Sequence, residues 1–346
     1  MRYFVLISLM LFSFSASALP EVEMEFYNRV ARSVVKIEAH NTNGRASFGS
    51  GVVIAEGVVA TNCHVTRYAK SIEVIKGGLH IKADEQISDV ENDICILKVQ
   101  GMTAPVVNVA KAKTRLGQEV VALGYVAGLG PRISAGKITS LYEHRGSRVI
   151  ESTAVFTSGA SGGGLFDRQG NLLGLVTFLR HGKEAPQHFS VPADWIYQAM
   201  QNLSAKPVAP LEGEAPFWQK SAANQPLFLR AATLRADGQS ESLRSVSQSW
   251  VNEDSNNADA WFMLGTAHQE LGQSDDAIQA YRKAIANDLD HCGAWYGLGL
   301  TYMRVHNANE SESVLRVLKS LDEKLADKLV HEKTQNCFEN GDDVTC

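Results

Sequence analysis

The sequence has no run of five consecutive basic residues. Its 346 residues carry a formal charge of −5, with a pI near 6.1. A chain without a basic face is not built to hold a polyanion, so nucleic acid is not an expected partner. Metal-ligand spacing is also missing. Cys63 and His64 are adjacent, but no further Cys or His follows at the intervals a zinc site uses, so neither a metal nor another cofactor is expected. Beyond the first 18 residues there is no apolar run able to cross about 30 Å of hydrocarbon, so no stable membrane insertion is expected. What remains is 45% apolar, enough for a packed core and too much for a disordered chain.

The first 18 residues have the pattern of an export signal. Arg2 supplies the charge, Tyr3 to Phe14 the apolar stretch, and Ala16-Ser17-Ala18 the small-x-small cleavage site. The apolar stretch is too short to be an anchor. No Cys lies near the cleavage site to accept a lipid. Cleavage after Ala18 would release a soluble periplasmic or secreted protein and remove Arg2 but no acid, taking the charge from −5 to −6. Export permits disulfides. The five cysteines are Cys63, Cys95, Cys292, Cys337 and Cys346, an odd number that leaves one free or paired between chains. Cys337 and Cys346 close a short loop around the turn signal Asn340-Gly341 and form the favoured pair. Cys63 and Cys95 could lie close in space, although two small buried hydrophobes is the preferred reading.

Two compositional regimes follow. After an opening helix with Phe26, Val30 and Val34 at helical spacing, short β-branched runs alternate with Gly and Asn turns as far as about residue 192. The runs include Gly51–Ile54, Gly57–Thr61, Ser71–Ile75, Ile94–Val99, Glu119–Leu123, Arg148–Ser152 and Leu172–Phe178, and a closing helix is expected over Asp194–Leu203. Residues 204–225 hold Pro207, Pro210 and Pro216 without periodicity and read as a linker. From 226 the pattern becomes helical and repeats. Trp261, Leu264, Gly265 and His268 recur 34 residues on as Trp295, Leu298, Gly299 and Tyr302. That period resembles the tetratricopeptide repeat, a stack of antiparallel helix pairs. A degenerate earlier unit starts near Leu227, and Asp322–Lys333 reads as a capping helix.

Three motifs in the strand-rich half carry candidate chemistry. Ser161 lies in Ser158-Gly159-Ala160-Ser161-Gly162-Gly163-Gly164, His64 in Thr61-Asn62-Cys63-His64-Val65, and Asp93 in Asn92-Asp93-Ile94-Cys95. A serine hydroxyl attacks only when a base takes its proton and a carboxylate orients that base. His64, Asp93 and Ser161 are the candidates for those roles. The backbone N–H groups of Gly159 and Ser161 are the candidate donors to an oxyanion. The run Gly159–Gly163 also satisfies G-x-S-x-G, but that elbow needs a following helix and the chain order Ser, Asp, His. Here Gly170-Asn171 leads into another strand, and the order is His, Asp, Ser.

On these residues the chain resembles the trypsin-like serine peptidases of the HtrA (Deg) type. Gly49-Ser50-Gly51-Val52-Val53-Ile54 with Val59 to Val65 is similar to the family's strand and His motif, Asp93 to Lys98 to its Asp motif, and Gly159 to Gly163 with Leu165 to its Ser motif. The resemblance covers roughly residues 25–202. It implies an all-β two-barrel chymotrypsin-like fold for the protease domain (19–203), which in this multidomain chain follows the signal peptide (1–18) read from the first residues. A linker (204–225), an all-α tetratricopeptide-repeat domain (226–334) and a C-terminal tail (335–346) complete it. Ala160 replaces the Asp with which digestive trypsins bind a new N-terminus, so that activation route is absent, and repeats stand where HtrA-type enzymes commonly carry a PDZ domain. By alignment, Val155 lies near the base of the specificity pocket and Thr177-Phe178 near its wall. None is acidic, which favours a small or medium apolar residue before the scissile bond. The implied function is an exported serine endopeptidase that acts on protein or peptide substrates, with a protein partner bound through 226–334. The alternative is an inactive protease fold serving as a scaffold for the repeats.

Overall fold

The structure, a computed structural model, describes residues 21–110, 114–126, 130–183 and 185–340, with side chains from 26 to 334. The expected signal segment and the Cys337–Cys346 pairing lie outside what is described.

Helix α1 (Glu21–Val30) leads into β1 (Val34–Asn41), β2 (Ala46–Ala55) and β3 (Val58–Thr61). A single turn, α2 (Cys63–Thr66), carries His64, and β4 (Ala69–Lys76), β5 (Leu79–Lys82), β6 (Glu85–Asp89) and β7 (Ile94–Lys98) follow. Strand β1 alternates buried and half-buried positions, as expected of a strand with one face on a core, whereas β7 is buried at Ile94, Cys95, Ile96 and Leu97 in succession. The second half contains β8 (Glu119–Tyr125), β9 (Pro131–His144), β10 (Ser147–Ser152), β11 (Gly164–Phe166), β12 (Leu172–His181) and β13 (Pro186–Pro192). Helix α3 (Asp194–Asn202) closes it, as the periodicity of Asp194–Leu203 predicts.

These strands form two antiparallel sheets. The second, in the order β10-β13-β12-β11-β8-β9, closes into a barrel. The first is an eight-stranded sheet whose ladder stays open between β5 and β14 (Lys206–Pro207). Each wraps its own apolar interior, Ile37, Val53, Val59, Ile72 and Leu97 in one and Val120, Ile138, Leu165 and Val176 in the other. A third cluster, including Val52, Ile94, Val121, Phe166 and Leu172, packs between them. The 14-residue strand β9 has no counterpart in the sequence reading because its outward positions interrupt the apolar alternation.

The expected linker is not a free spacer. Lys206–Pro207 adds a strand to β6, Leu211 N–H donates to Arg67 O, and Phe217 is 1% exposed. The helical region then runs through α4 (Leu227–Ala236), α5 (Ser240–Glu253), α6 (Ala258–Glu270), α7 (Ser274–Asn287), α8 (Cys292–Arg304), α9 (Ala308–Leu321) and α10 (Glu323–Asn340), giving three helix pairs and a final helix. The 34-residue period is visible in the backbone. Gly238, Gly272 and His306 share a positive φ of 65°, 74° and 56°, and the N–H groups of Asp254, Asp288 and Asp322 each close the preceding helix. Trp261 and Trp295 both donate Nε1–H to a carbonyl six residues back, at 2.8 Å. Tyr281 wedges between helices at Gly265 and Gly297, where an added Cβ would come within 2.7 Å and 2.5 Å of its ring.

The helices dock on the closed barrel through aromatic packing. Phe228 of α4 stacks on Tyr142 of β9 at 5.3 Å, and Arg235 pairs with Glu151 at 3.4 Å. His144 sits among Phe217, Phe228 and Trp195 at 5.1, 5.3 and 6.0 Å. Burial there, reinforced by Arg145, lowers its pKa to about 4.

Two outcomes follow. A non-glycine residue in the left-handed region costs about 1 kcal/mol, so His306→Gly should stabilise the helical region by roughly 0.5–1 kcal/mol, read as a rise in its thermal midpoint. His144 is held neutral in the folded chain, with a pKa below its unfolded value. Its contribution is therefore complete above about pH 6.5 and is lost as pH falls towards about 4, amounting to about 2 kcal/mol at pH 5. Burial lowers His188 in the same direction. Thermal midpoints measured between pH 7 and 5 should fall, and His144→Phe should flatten that slope.

Candidate active site

The loop of Ser161 is shaped by its glycines and held by the other sheet. Ala160 N–H donates to Thr157 O at 3.1 Å, closing a turn in which Gly159 has φ 94°. Gly162 has φ 84°, and a Cβ there would fall 2.2 Å from Ser50 O, so both the backbone angle and the space demand glycine. Ser50, fully buried in β2, joins the two halves. Its N–H donates to Ser161 O and its hydroxyl to Gly159 O, each at 2.8 Å, while Tyr125 N–H donates to that hydroxyl. Sequence reading saw Ser50 only as part of a strand motif. Its role across more than a hundred residues leaves no local signal.

His64 and Asp93 are brought together by the loops flanking β3 and β7, which pair with Thr61 opposite Cys95. Cys63 and Cys95, the neighbour of His64 and the second residue after Asp93, are joined by a disulfide, so reading them as two separate buried hydrophobes is corrected. The β3–β7 register places their Cα atoms 4.8 Å apart, within bonding reach. Cys292 is free and buried.

Asp93 is 0% exposed and has φ 60°. A buried carboxylate needs donors to replace water, and three converge. His64 N–H reaches Oδ1 at 2.8 Å, His64 Nδ1 reaches Oδ2 at 2.7 Å, and Trp218 Nε1–H reaches the same Oδ2 at 2.9 Å. Asn62 Nδ2 supports the loop by donating to Asp93 O at 2.9 Å and to Thr177 Oγ1 at 3.2 Å. With Nδ1–H committed to the carboxylate, His64 is fixed as the tautomer whose Nε2 carries the free lone pair, the form a general base requires. The Ser161 hydroxyl donates to Thr177 O at 3.1 Å rather than to His64. Apo sites often hold such contacts in a relaxed form.

The expected pocket residues are distributed differently. Thr177 is buried and offers its carbonyl to Ser161. Phe178 is 4% exposed, with its ring between Phe189 and Trp218 at 4.8 and 4.9 Å, and Val155 is on the surface at 56%. Trp218 was missed altogether, because it lies 125 residues from Asp93 in a segment that composition alone reads as a spacer. A cavity of about 950 Å³ between β9–β10 and α4–α5 touches none of His64, Asp93 and Ser161. Among the described residues no cluster of three or more His, Cys, Asp or Glu side chains is placed to hold a metal ion.

Comparison with known proteins finds similarity in both parts of the chain. Residues 49–175 match the trypsin-like peptidase domain, and residues 258–291 match the tetratricopeptide repeat. A probable periplasmic serine endoprotease, DegP-like, of Halomonas elongata is 28% identical over 194 residues, covering 52% of this chain and 41% of that protein. A protein of the same description from Bartonella henselae is 31% identical over 192 residues, covering 53% and 38%. The chain thus spans about two fifths of the length of these curated relatives. Among solved structures, the Rv3671c protease of M. tuberculosis in its active form aligns with a TM-score of 0.50 at 25% identity, covering 60% of this chain and 99% of that one.

The disulfide closes a loop with a sequence separation of 32, which constrains the unfolded chain by about 3–4 kcal/mol. Replacing Cys63 and Cys95 together by Ala should lower the unfolding free energy by about that amount in denaturant titrations. Reductant should destabilise the wild type similarly and leave the double variant unmoved.

Proposed function

We infer that this chain, which carries a trypsin-like peptidase domain and a tetratricopeptide repeat, is an exported serine endopeptidase acting in the periplasm or outside the cell. The observation that carries the reading is the buried Asp93 carboxylate holding His64 by its Nδ1, beside the loop of Ser161. In the proposed cycle Ser161 Oγ attacks the peptide carbonyl carbon while His64 Nε2 takes its proton. The N–H groups of Gly159 and Ser161 receive the developing oxyanion. Collapse of this intermediate expels the amine, which takes the proton from His64 and leaves an acyl-enzyme on Ser161. Water, deprotonated in turn by His64, then releases the acid and restores the serine.

The preference proposed for the residue before the scissile bond, a small or medium apolar side chain rather than Arg or Lys, rests on the alignment of Val155, Thr177 and Phe178 and not on their placement, since Val155 lies on the surface and Phe178 is packed under Trp218. The repeats, residues 226–334, would recruit a protein partner or the substrate itself, since stacked helix pairs expose an extended concave surface suited to peptides. The boundaries 19–203 for the protease and 204–225 for the connecting segment belong to the same proposal.

A fluorophosphonate probe should label Ser161 in the folded protein, and Ser161→Ala should abolish the signal. Asp93→Asn should reduce kcat on a peptide substrate by on the order of 10⁴-fold, because it removes the acceptor that sets the His64 tautomer. Absence of labelling in folded wild-type protein would overturn the enzyme and leave the scaffold reading in its place.

A further inference from the structure

Asp93 Oδ2 accepts two hydrogen bonds, one from the imidazole it orients and one from outside both β-sheets. The second donor, Trp218 Nε1–H at 2.9 Å, belongs to the segment that joins the closed barrel to the helices. Its ring lies 4.9 Å from Phe178 with the planes 8° apart, and presents itself to His64 at 5.2 Å with the planes at 87°. One side chain therefore touches the carboxylate, the imidazole and the strand whose Thr177 carbonyl holds the Ser161 hydroxyl.

This placement is built. Phe217 N–H donates to Glu91 O at 3.0 Å, and the Phe217 ring is buried against Trp195, Phe178 and Phe228. Arg180 Nη2 donates to Trp218 O at 2.7 Å, and Gln225 Nε2 to the same oxygen at 3.0 Å. Lys220 bridges Glu91 at 3.0 Å and Glu214 at 3.2 Å. Among the described residues of the two sheets, none but His64 reaches Asp93 Oδ2 to stand in for the indole. The hydroxyl of Thr177 donates to Leu175 O at 2.7 Å and accepts from Asn62, so it is turned away from the carboxylate.

We propose that Trp218 is a positioning residue of the catalytic pair. By donating to Asp93 Oδ2 it fixes the carboxylate against rotation, and by packing on the ring edge it holds His64 facing Ser161. The proposal rests on the reading of Ser161 as nucleophile. It adds that the acid–base pair is completed by a residue supplied from the connecting segment, anchored on α4 through Phe217 and Phe228. A hydrogen bond to a charged group that is lost while its acceptor stays buried weakens the charged partner's hold substantially.

The test uses the full chain with Trp218→Phe, which removes the donor, and with a benzothienylalanine at position 218, which keeps the bicyclic shape but puts sulfur in place of Nε1–H. Four quantities are read: the rate of fluorophosphonate labelling, kcat and KM on a short peptide substrate, the downfield proton resonance of His64 Nδ1–H, and the thermal midpoint. Both variants should label and turn over about 10- to 100-fold more slowly than wild type, with KM within about twofold. Their downfield resonance should shift or broaden, and the isostere should keep the wild-type midpoint. Wild-type rates and an unmoved resonance in the isostere would overturn the proposal, even if Trp218→Phe failed to fold. If the wild type itself does not label, the serine-nucleophile reading falls, and the resonance alone decides. A line moved by the isostere upholds the Trp218–Asp93 contact as what positions His64, and an unmoved line refutes it.

Discussion

A carboxylate with no exposure to water has to recover from the protein the hydrogen bonds that hydration would supply, and at Asp93 this requirement organises everything nearby. The donors come from the backbone and ring of His64 and from the indole of Trp218. Each arrives because another contact holds it there. A disulfide between Cys63 and Cys95 ties together the two loops that carry the pair, and Asn62 braces the Asp93 backbone against Thr177. The positive φ of Asp93 is a local cost that these surrounding contacts offset.

Ser161 is held by a different device. Ser50 spends its N–H and hydroxyl on the carbonyls of Ser161 and Gly159, so the serine loop, although it belongs to the closed barrel, is registered on a strand of the open sheet. Cross-sheet hydrogen bonds and a shared apolar cluster thereby hold the loop of Ser161 against the sheet that carries His64. The Ser161 hydroxyl itself rests on the Thr177 carbonyl of the closed barrel.

The parts of this arrangement that depend on short-range pattern were legible in the sequence. His64, Asp93 and Ser161 sit in compact motifs whose chain order selects the fold, and the repeats announce themselves through a fixed 34-residue offset. Even the degenerate first unit, expected to start near Leu227, is present as α4 and α5, and its turn at Gly238 falls in step with Gly272 and His306. The parts that depend on long-range meeting were not legible. Strand β9 mixes polar and apolar positions because part of its outer face is covered by helices that the sequence places far downstream. The disulfide depends on the register of β3 against β7, and Trp218 on a return of the chain across 125 residues, neither of which composition can reveal.

The packing of Phe217 on Phe228 also bears on how far the two halves are separable. Composition changes character near residue 203, and a division there would retain His64, Asp93 and Ser161. It would discard the indole on Asp93, the strand added to β6, and the aromatic cover of His144. As a packing unit the strand-rich half therefore extends past its two sheets into the first turn of α4. A different C-terminal module could replace the repeats only if it brought along, or learned to imitate, the few residues that reach back.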